Sequence, residues 1–360
     1  MRQSVADIRL GLGPAGARML KKCRSSSTIK VLSLVMPILK PNTRTLRETA
    51  PMQNSNFTFI DLFAGIGGMR LGFESAGGKC VFSSEWDQNC QRTYEANFGV
   101  LPDGDITQIE VDEVPKCDVI LAGFPCQPFS SIGQRAGFDH PTQGTLFYDV
   151  LRLVKGLRPK AFLLENVVGL VNHDKGNTFK VIRESLEAEG YSVSSKILDS
   201  ADFGLPQHRK RIYIVGFDTK LFGGEVEFVW PEPSSKRVDI GQFVELGVTD
   251  RSISKHLQNS YIYKVDDGRP QVISPDSIGP VKTLVASYHK IQRLTGTFVA
   301  DGPTGLRLLT EGECKAIMGF PKNFKIPVSR TQMYRQMGNS VAVPVIKQIA
   351  KSIAVHLNRD

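Results

Sequence analysis

Residues 57–218 alternate between two kinds of hydrophobic block. Short, mostly apolar runs at 57–62, 79–84, 118–122, 161–164 and 212–216 predict buried strands. Between them, residues 88–98, 146–157 and 178–189 carry apolar side chains at helical spacing. In 146–157 the apolar positions are 146, 147, 150, 151, 153, 154 and 157, and Gly190 is placed to stop the 178–189 helix. A further helical pattern runs from the glycines at 65–68 through Ala76. Strands alternating with helices of this length predict an α/β fold, a Rossmann-like, doubly wound, mostly parallel sheet with helices on both faces. From about residue 219 the rhythm fails. Residues 219–304 are rich in Gly, Pro, Ser and single aromatics, which predicts a second, smaller, irregular strand-and-loop domain. Helical patterning returns at 310–318 and 343–357. There is no internal repeat, and no run approaches the roughly 18 uninterrupted apolar residues of a membrane span.

At 360 residues and 41% hydrophobic, the chain can bury a sizeable core, and its 22% charged fraction argues against wholesale disorder. The net charge of +9 suggests nucleic acid, but its distribution removes that argument. Residues 1–51 hold ten basic and two acidic residues, so eight of the nine net charges lie in this leader. Three readings fit the leader: a basic arm on nucleic acid, an organelle-targeting segment, or a stretch upstream of a natural start at Met52. The six cysteines form no C-x-x-C pair and are widely spread. This predicts neither a zinc site nor a disulfide framework, and fits a reducing, cytoplasmic setting.

The candidate chemistry sits where strands end. Asp61-Leu-Phe-Ala-Gly65-Ile-Gly67-Gly68 joins a strand to a helix, the place where an open sheet binds a nucleotide. It nearly matches G-x-G-x-x-G, but Arg70 stands where the third glycine would be. Glu85 lies 20 residues beyond Gly65, placed to accept two ribose hydroxyls, with Trp86 beside it to cover a purine and Asp105 to reach an exocyclic amine. These groups describe an adenosine ligand without phosphates, although two glycines in a βα turn do not by themselves establish a cofactor. Gly123-Phe-Pro125-Cys126-Gln127-Pro128-Phe129-Ser130 follows a buried strand. The two prolines fix the backbone around a lone thiol, which suits a nucleophile. Cys80, Cys90, Cys117 and Cys314 read as inert core. Glu165 ends a buried run, where desolvation raises a carboxyl pKa toward that of a proton donor. Arg209 and Arg211 alternate just before a strand, which would place them on one face.

Together these segments closely resemble the DNA (cytosine-5) methyltransferases. The resemblance runs from Phe57 to the C-terminus in the family's order. It comprises Phe63-Ala-Gly-Ile-Gly-Gly, Glu85-Trp86, Asp105, Pro125-Cys126-Gln127, Glu165-Asn166-Val167 and Gln207-x-Arg209-x-Arg211. It continues with Arg307-Leu-Leu-Thr-x-x-Glu313-Cys-x-x-x-x-Gly319-Phe-Pro321 and Gln336-Met-Gly338-Asn339-Ser340-Val341. One position departs from many relatives: Gln143, not arginine, precedes Gly144.

The resemblance implies S-adenosylmethionine as cofactor. Phe63 and Trp86 would flank the adenine, Glu85 would hold the ribose and Asp105 the adenine amine. Asn339 and Ser340 would complete a pocket lined by Ala64, Gly65, Gly67, Gly68, Ile106, Pro125 and Leu146. It implies that the Cys126 thiolate adds to C6 of a flipped cytosine, Glu165 protonates N3, Arg209 steadies the O2 side with Arg211 nearby, and C5 then accepts the methyl group. Gln127, Ser130 and Asn166 would touch the DNA. The expected division is a basic leader over 1–56, a catalytic domain over 57–218 plus 322–360, and a target-recognition domain over 219–321 that includes the 305–321 family segment. Within the latter, 278–300 holds Lys282, His289, Lys290 and Arg293 and no acid, and Thr283-Leu284 resembles a short element common there. Lys282, Lys290 and Arg293 are expected on phosphates or guanine edges.

The implied partner is double-stranded DNA with a short specific site. A cognate restriction endonuclease would act separately, and a monomer with no membrane contact is expected. A tRNA cytosine methyltransferase would use the same residues, but its Cys-Phe-Thr element is not found in the variable region. A nicotinamide dehydrogenase explains the glycine loop but not Cys126, Glu165 or the arginines. A catalytically dead regulator does not explain why every reactive position is filled. The compact body resembles a prokaryotic restriction–modification or phage enzyme.

Overall fold

A computed structural model describes residues 56–125, 146–234 and 237–358. The expectations for the leader, and for Cys126, Gln127, Ser130 and Gln143, lie outside these residues.

The elements in chain order are β1 (Phe57–Leu62), α1 (Gly68–Glu74), β2 (Gly78–Ser84), α2 (Gln88–Phe98), β3 (Val119–Ala122), α3 (Leu146–Leu157), β4 (Ala161–Val167), α4 (Gly169–Asn172), α5 (Asn177–Ala188), β5 (Tyr191–Asp199) and β6 (Lys210–Asp218). There follow α6 (Lys255–Leu257), β7 (Gln271–Ile273), β8 (Thr297–Val299), α7 (Glu311–Met318), α8 (Arg330–Asn339) and α9 (Val343–Leu357). The main sheet has the order β2-β1-β3-β4-β6-β5, a Rossmann-like arrangement. β2, β1, β3 and β4 are parallel, whereas β6 runs antiparallel to both β4 and β5. The sheet is therefore parallel only in part.

Alternate side chains feed two separate cores. Phe59, Leu121 and Leu163 join α1 and α9 residues on one face, while Ile60, Ile120, Phe162 and Leu164 join α3 and α5 residues on the other. This is the period of two expected of a sheet buried on both faces. α1 and α9 lie against each other because residue 72 is glycine: a Cβ there would sit 2.5 Å from Ile346 Cγ2.

β5 and α8 were not expected. β5 is an edge strand whose central residues are partly or fully exposed, so its sequence lacks an apolar run. α8 is polar on average, but it buries Met333, Tyr334 and Met337 and is capped by the Ser329 hydroxyl accepting from the Gln332 N–H. β4 continues past Leu164 to Val167 because β6 pairs alongside it, Glu165 opposite Tyr213 and Val167 opposite Arg211. The strands of residues 237–321 are limited to the short parallel pair β7–β8. The apolar core of these residues includes Ile253, Ile262, Phe298 and Leu309, and it extends to Met333, Tyr334 and Met337 of α8.

Candidate active site

Strand order reverses at β1: β2 lies on one side of it, while β3 and β4 lie on the other. The carboxyl ends of strands at such a switch point diverge, which leaves room for a ligand. A cleft of about 610 Å³ opens there.

Its first wall is the turn after β1. Phe63 and Gly65 both have positive φ, 52° and 56°; a bulky residue in this region marks a constrained turn. The turn is tied to the end of β2, since Ala64 N donates to Ser84 O at 2.9 Å and Gly65 N to Glu85 Oε2 at 2.7 Å. Glu85 Oε1 accepts from Asp87 N at 2.8 Å, so one carboxylate joins the glycine turn to the start of α2. Burial raises the Glu85 pKa, opposed by these backbone N–H groups. Trp86 is 75% exposed at the rim, its ring face open. Asp105, Ile106, Pro125, Leu146 and Asn339 line the same cleft, and Asp105 Oδ1 also caps Thr107 N at 3.0 Å. Ala64, Gly68 and Ser340 line a smaller cavity of about 60 Å³ beneath the turn. Gly67 does not face the cleft. It is the left-handed N-cap of α1, and a Cβ there would lie 2.2 Å from the Phe98 ring, so its smallness serves packing.

The opposite wall carries the titratable groups. Glu165 is buried near the end of β4, and Arg211 Nε approaches its Oε1 to 3.1 Å. Burial raises the Glu165 pKa, with Arg211 and then Arg209 pulling it back. The two arginines do not play equal parts. Arg209 precedes β6 and is buried, with Nη1 donating to Leu284 O at 3.1 Å and Nη2 to Gly338 O and Ser340 O at 3.0 and 2.5 Å. Burial, and then the charge of Arg211, lowers its pKa to about 10. Through its Nη atoms Arg209 tethers the Thr283-Leu284 element to the end of α8, while its buried Nε has no partner and the residue lines the cleft; Arg211 is the arginine beside Glu165. Asn166 lines the cleft beside them. It is buried and donates through Nδ2 to Phe124 O at 2.9 Å, steadying the segment that leads to Pro125.

Lys282 and Lys290 are exposed. Arg293 is not: at 9% exposure it binds the carbonyls of Ile262 and Val265 and the carboxylate of Asp267. The expectation of a DNA-facing Arg293 side chain is corrected, because its donors already have internal partners.

Comparison with known proteins agrees with this geometry. The family model for C-5 cytosine-specific DNA methylase matches residues 57–355. The Type II methyltransferase M.MspI of a Moraxella species is 57% identical over 312 residues, covering 87% of this chain and 74% of the relative. The Type II methyltransferase M.BsuFI of Bacillus subtilis is 55% identical over 323 residues, covering 87% and 78%. The chain belongs to the C-5 cytosine-specific DNA methylase family. Among solved structures, the S. pombe Dnmt2 methyltransferase superposes with a TM-score of 0.67 at 21% identity, covering 84% of this chain and all of that one. A mutant of Spodoptera frugiperda DNMT2 gives 0.68 at 22% identity, covering 82% and 99%. At that identity the likeness establishes the fold.

The methylase cleft has a further wall residue that sequence reasoning did not single out. Gln336 is buried, accepts from Thr93 Oγ1 at 3.0 Å, and its Nε2 has no partner. It lies one helical turn before Asn339, so recognising α8 would have placed both on one face. The inert reading of the described cysteines agrees with their surroundings: burial pushes the Cys80 and Cys117 thiols up to about 12, and Cys90 and Cys314 upward too. Among the described residues, no cluster suited to a metal ion occurs.

Proposed function

We propose that this DNA (cytosine-5) methyltransferase uses S-adenosylmethionine to methylate a cytosine flipped out of duplex DNA at a short specific site, through a transient Cys126–C6 bond. The observation that carries this reading is the buried Glu165, raised in pKa and 3.1 Å from Arg211, in the same cleft as Glu85 and Trp86. The cleft residues suit the cofactor. Glu85 still has lone pairs for ribose hydroxyls, the Trp86 face is open to a purine, and Gln336 Nε2 is a buried donor awaiting an acceptor. No row of backbone N–H groups for a pyrophosphate is needed.

The bound cofactor supplies an electrophilic methyl group. Cytosine C5 is too poor a nucleophile to take it unaided. Addition of the Cys126 thiolate to C6 makes the ring an enamine with electron density at C5. Glu165, its pKa raised by burial, is placed to donate to N3 as that charge develops, and Arg211 holds the carboxyl in place. Once C5 had taken that methyl group, the cofactor's sulfur being the leaving group, loss of the C5 proton, return of the N3 proton and expulsion of Cys126 would restore the aromatic ring. Flipping costs a few kcal/mol of unstacking, offset by protein contacts to the duplex. Residues 57–218 with 322–360 serve as the catalytic domain and 219–321 as the target-recognition domain, with Lys282 and Lys290 as phosphate contacts. The Type II names of the relatives support a role in the bacterial cytoplasm, protecting DNA from a separate cognate endonuclease.

Bisulfite sequencing of DNA from cells expressing the protein tests the reading. One short motif with a fully protected cytosine is expected, and Cys126→Ser should abolish protection. Uniform conversion with the wild-type chain, or normal protection with the serine variant, would overturn it.

A further inference from the structure

Resting on that reading, we propose that Arg293 is a positioning residue for target recognition. It locks residues 258–267 to residues 288–296 as one reading head, in which Tyr263 and Lys264 contact the recognition site in duplex DNA. The lock is specific. The Arg293 guanidinium donates through Nε to Ile262 O at 3.0 Å, through Nη2 to Val265 O at 2.7 Å, and through both ends of its fork to the Asp267 carboxylate. Its own backbone N–H donates to Tyr261 Oη at 3.3 Å. One side chain thus gathers carbonyls and a carboxylate that no strand or helix pairs, and fixes the chain on both sides of Tyr263.

The second loop is also held in an unusual form. Ile291 has φ 53° and ψ 52°, a left-handed conformation that disfavours a β-branched residue, and it is anchored by packing on the lobe core. Gln292 turns inward, its Oε1 accepting from Ser287 Oγ and Thr295 Oγ1 at 3.1 and 3.0 Å. Strain kept in place by surrounding contacts is a mark of functional loops.

What this framework holds outward suits DNA. Tyr263 in the first loop is 49% exposed and Leu294 in the second is also exposed, large apolar groups able to meet sugars and base faces. Lys264 and Lys290 are exposed cations. Both acids in the first loop, Asp266 and Asp267, are exposed, and the charge of Asp267 is paired with Arg293. The head is linked to the cleft wall through the 282–284 segment. Lys282 Nζ reaches Leu294 O at 3.4 Å, and two residues later Leu284 O receives Arg209, which lines the active-site wall. A duplex presenting its flipped base there would pass the two loops.

Steady-state kinetics on duplexes carrying the site found by bisulfite mapping, and on single-mismatch duplexes, test the assignment. Tyr263→Ala and Lys264→Ala should each raise the KM for DNA about tenfold, the size of a lost base or phosphate contact, with the KM for S-adenosylmethionine unchanged. Arg293→Lys, which keeps charge but loses the fork, should lower discrimination against mismatched sites more than it lowers kcat. If it does not fold, as judged by thermal melting, the exposed tyrosine and lysine variants still decide the question. Wild-type DNA KM and discrimination in folded variants would overturn the reading head while leaving the methyltransferase reading intact. A wild-type chain that methylates no DNA would instead sink the function on which this rests.

Discussion

The main sheet and the lobe formed by residues 237–321 are held together by different physics. In the sheet, β1, β3 and β4 bury nearly every side chain, hydrogen-bonding groups pair along the ladders, and the buried carboxyls Asp61 and Glu165 lie toward the carboxyl ends of their strands. In the lobe the strands are three residues long, and most backbone groups have no ladder to join. Buried arginines take that role. Arg307 is 0% exposed and binds Glu313 through both Nη atoms at 2.8 and 2.9 Å, Asp301 at 2.9 Å, and the carbonyls of Leu308 and Glu245. Arg293 does the same for the reading head. A guanidinium has five donors in a rigid fork, so it can satisfy an irregular backbone where a strand cannot. Apolar burial builds the sheet, and buried charge organises the irregular lobe.

The largest expected effect breaks that contrast directly. Arg307→Met removes the charge while roughly keeping volume, leaving Glu313 and Asp301 facing each other unpaired; it should destabilise by about 3–5 kcal/mol. The matched change in the sheet core, Leu163→Met, keeps both volume and polarity and should cost under about 1.5 kcal/mol. Urea unfolding of both variants is the check. Equal losses would mean that the lobe is as hydrophobically held as the sheet.

Acid should separate the two regions further. In the lobe, the hydrogen bond from Arg307 holds the Asp301 carboxyl well below the usual range, and Arg293 does so for Asp267. A depressed folded pKa contributes stability above the ordinary value of about 4 and loses it as pH falls through the folded value. In the sheet, burial raises Asp61, Glu85 and Glu165. These carboxyls bind protons more readily in the folded state, so stability rises as pH falls from their raised values toward the ordinary one. Asp118 at the foot of β3 works the other way, held down by Thr58 and Lys160 against its partial burial. Peptide-resolved hydrogen exchange, corrected for its intrinsic pH dependence, should show the lobe opening before the sheet as pH falls below about 4. Simultaneous opening would refute the division.

The same contrast explains what could be read from the sequence. β1, α2 and α3 coincide with their hydrophobic patterns because each buries a regular face. Glu85 and Glu165 stood out because each follows a run of strand-forming residues, although β4 itself continues to Val167. β5 and α8 were not, since an edge strand and a helix with a narrow buried stripe have weak periodicity. The roles of Arg209 and Arg293 were out of reach for a different reason. Their partners are carbonyls from distant segments, and nothing along the chain marks which carbonyls lack a partner. Cys126, the most legible single residue, lies outside the described structure, so chemistry must test it.

The smallest expected effect asks how far the buried charge of the lobe is shared with ordinary helix capping. α7 begins with a reciprocal box: Thr310 Oγ1 accepts from Glu313 N at 3.0 Å, and Glu313 Oε2 accepts from Thr310 N at 2.7 Å. Thr310→Ala removes only the first bond and should cost about 1 kcal/mol, as caps generally do. Glu313 is also the carboxylate gripped by Arg307, so the cap and the ion network share one side chain. In the double variant with Arg307→Met, Glu313 is no longer held from the far side, and the cap loses its fixed geometry. The two costs should then fall short of additivity by about 0.5 kcal/mol or more in a double-mutant cycle. Strict additivity would show that α7 is capped independently of the arginine, and that the lobe is less of a single electrostatic unit than its hydrogen bonds suggest.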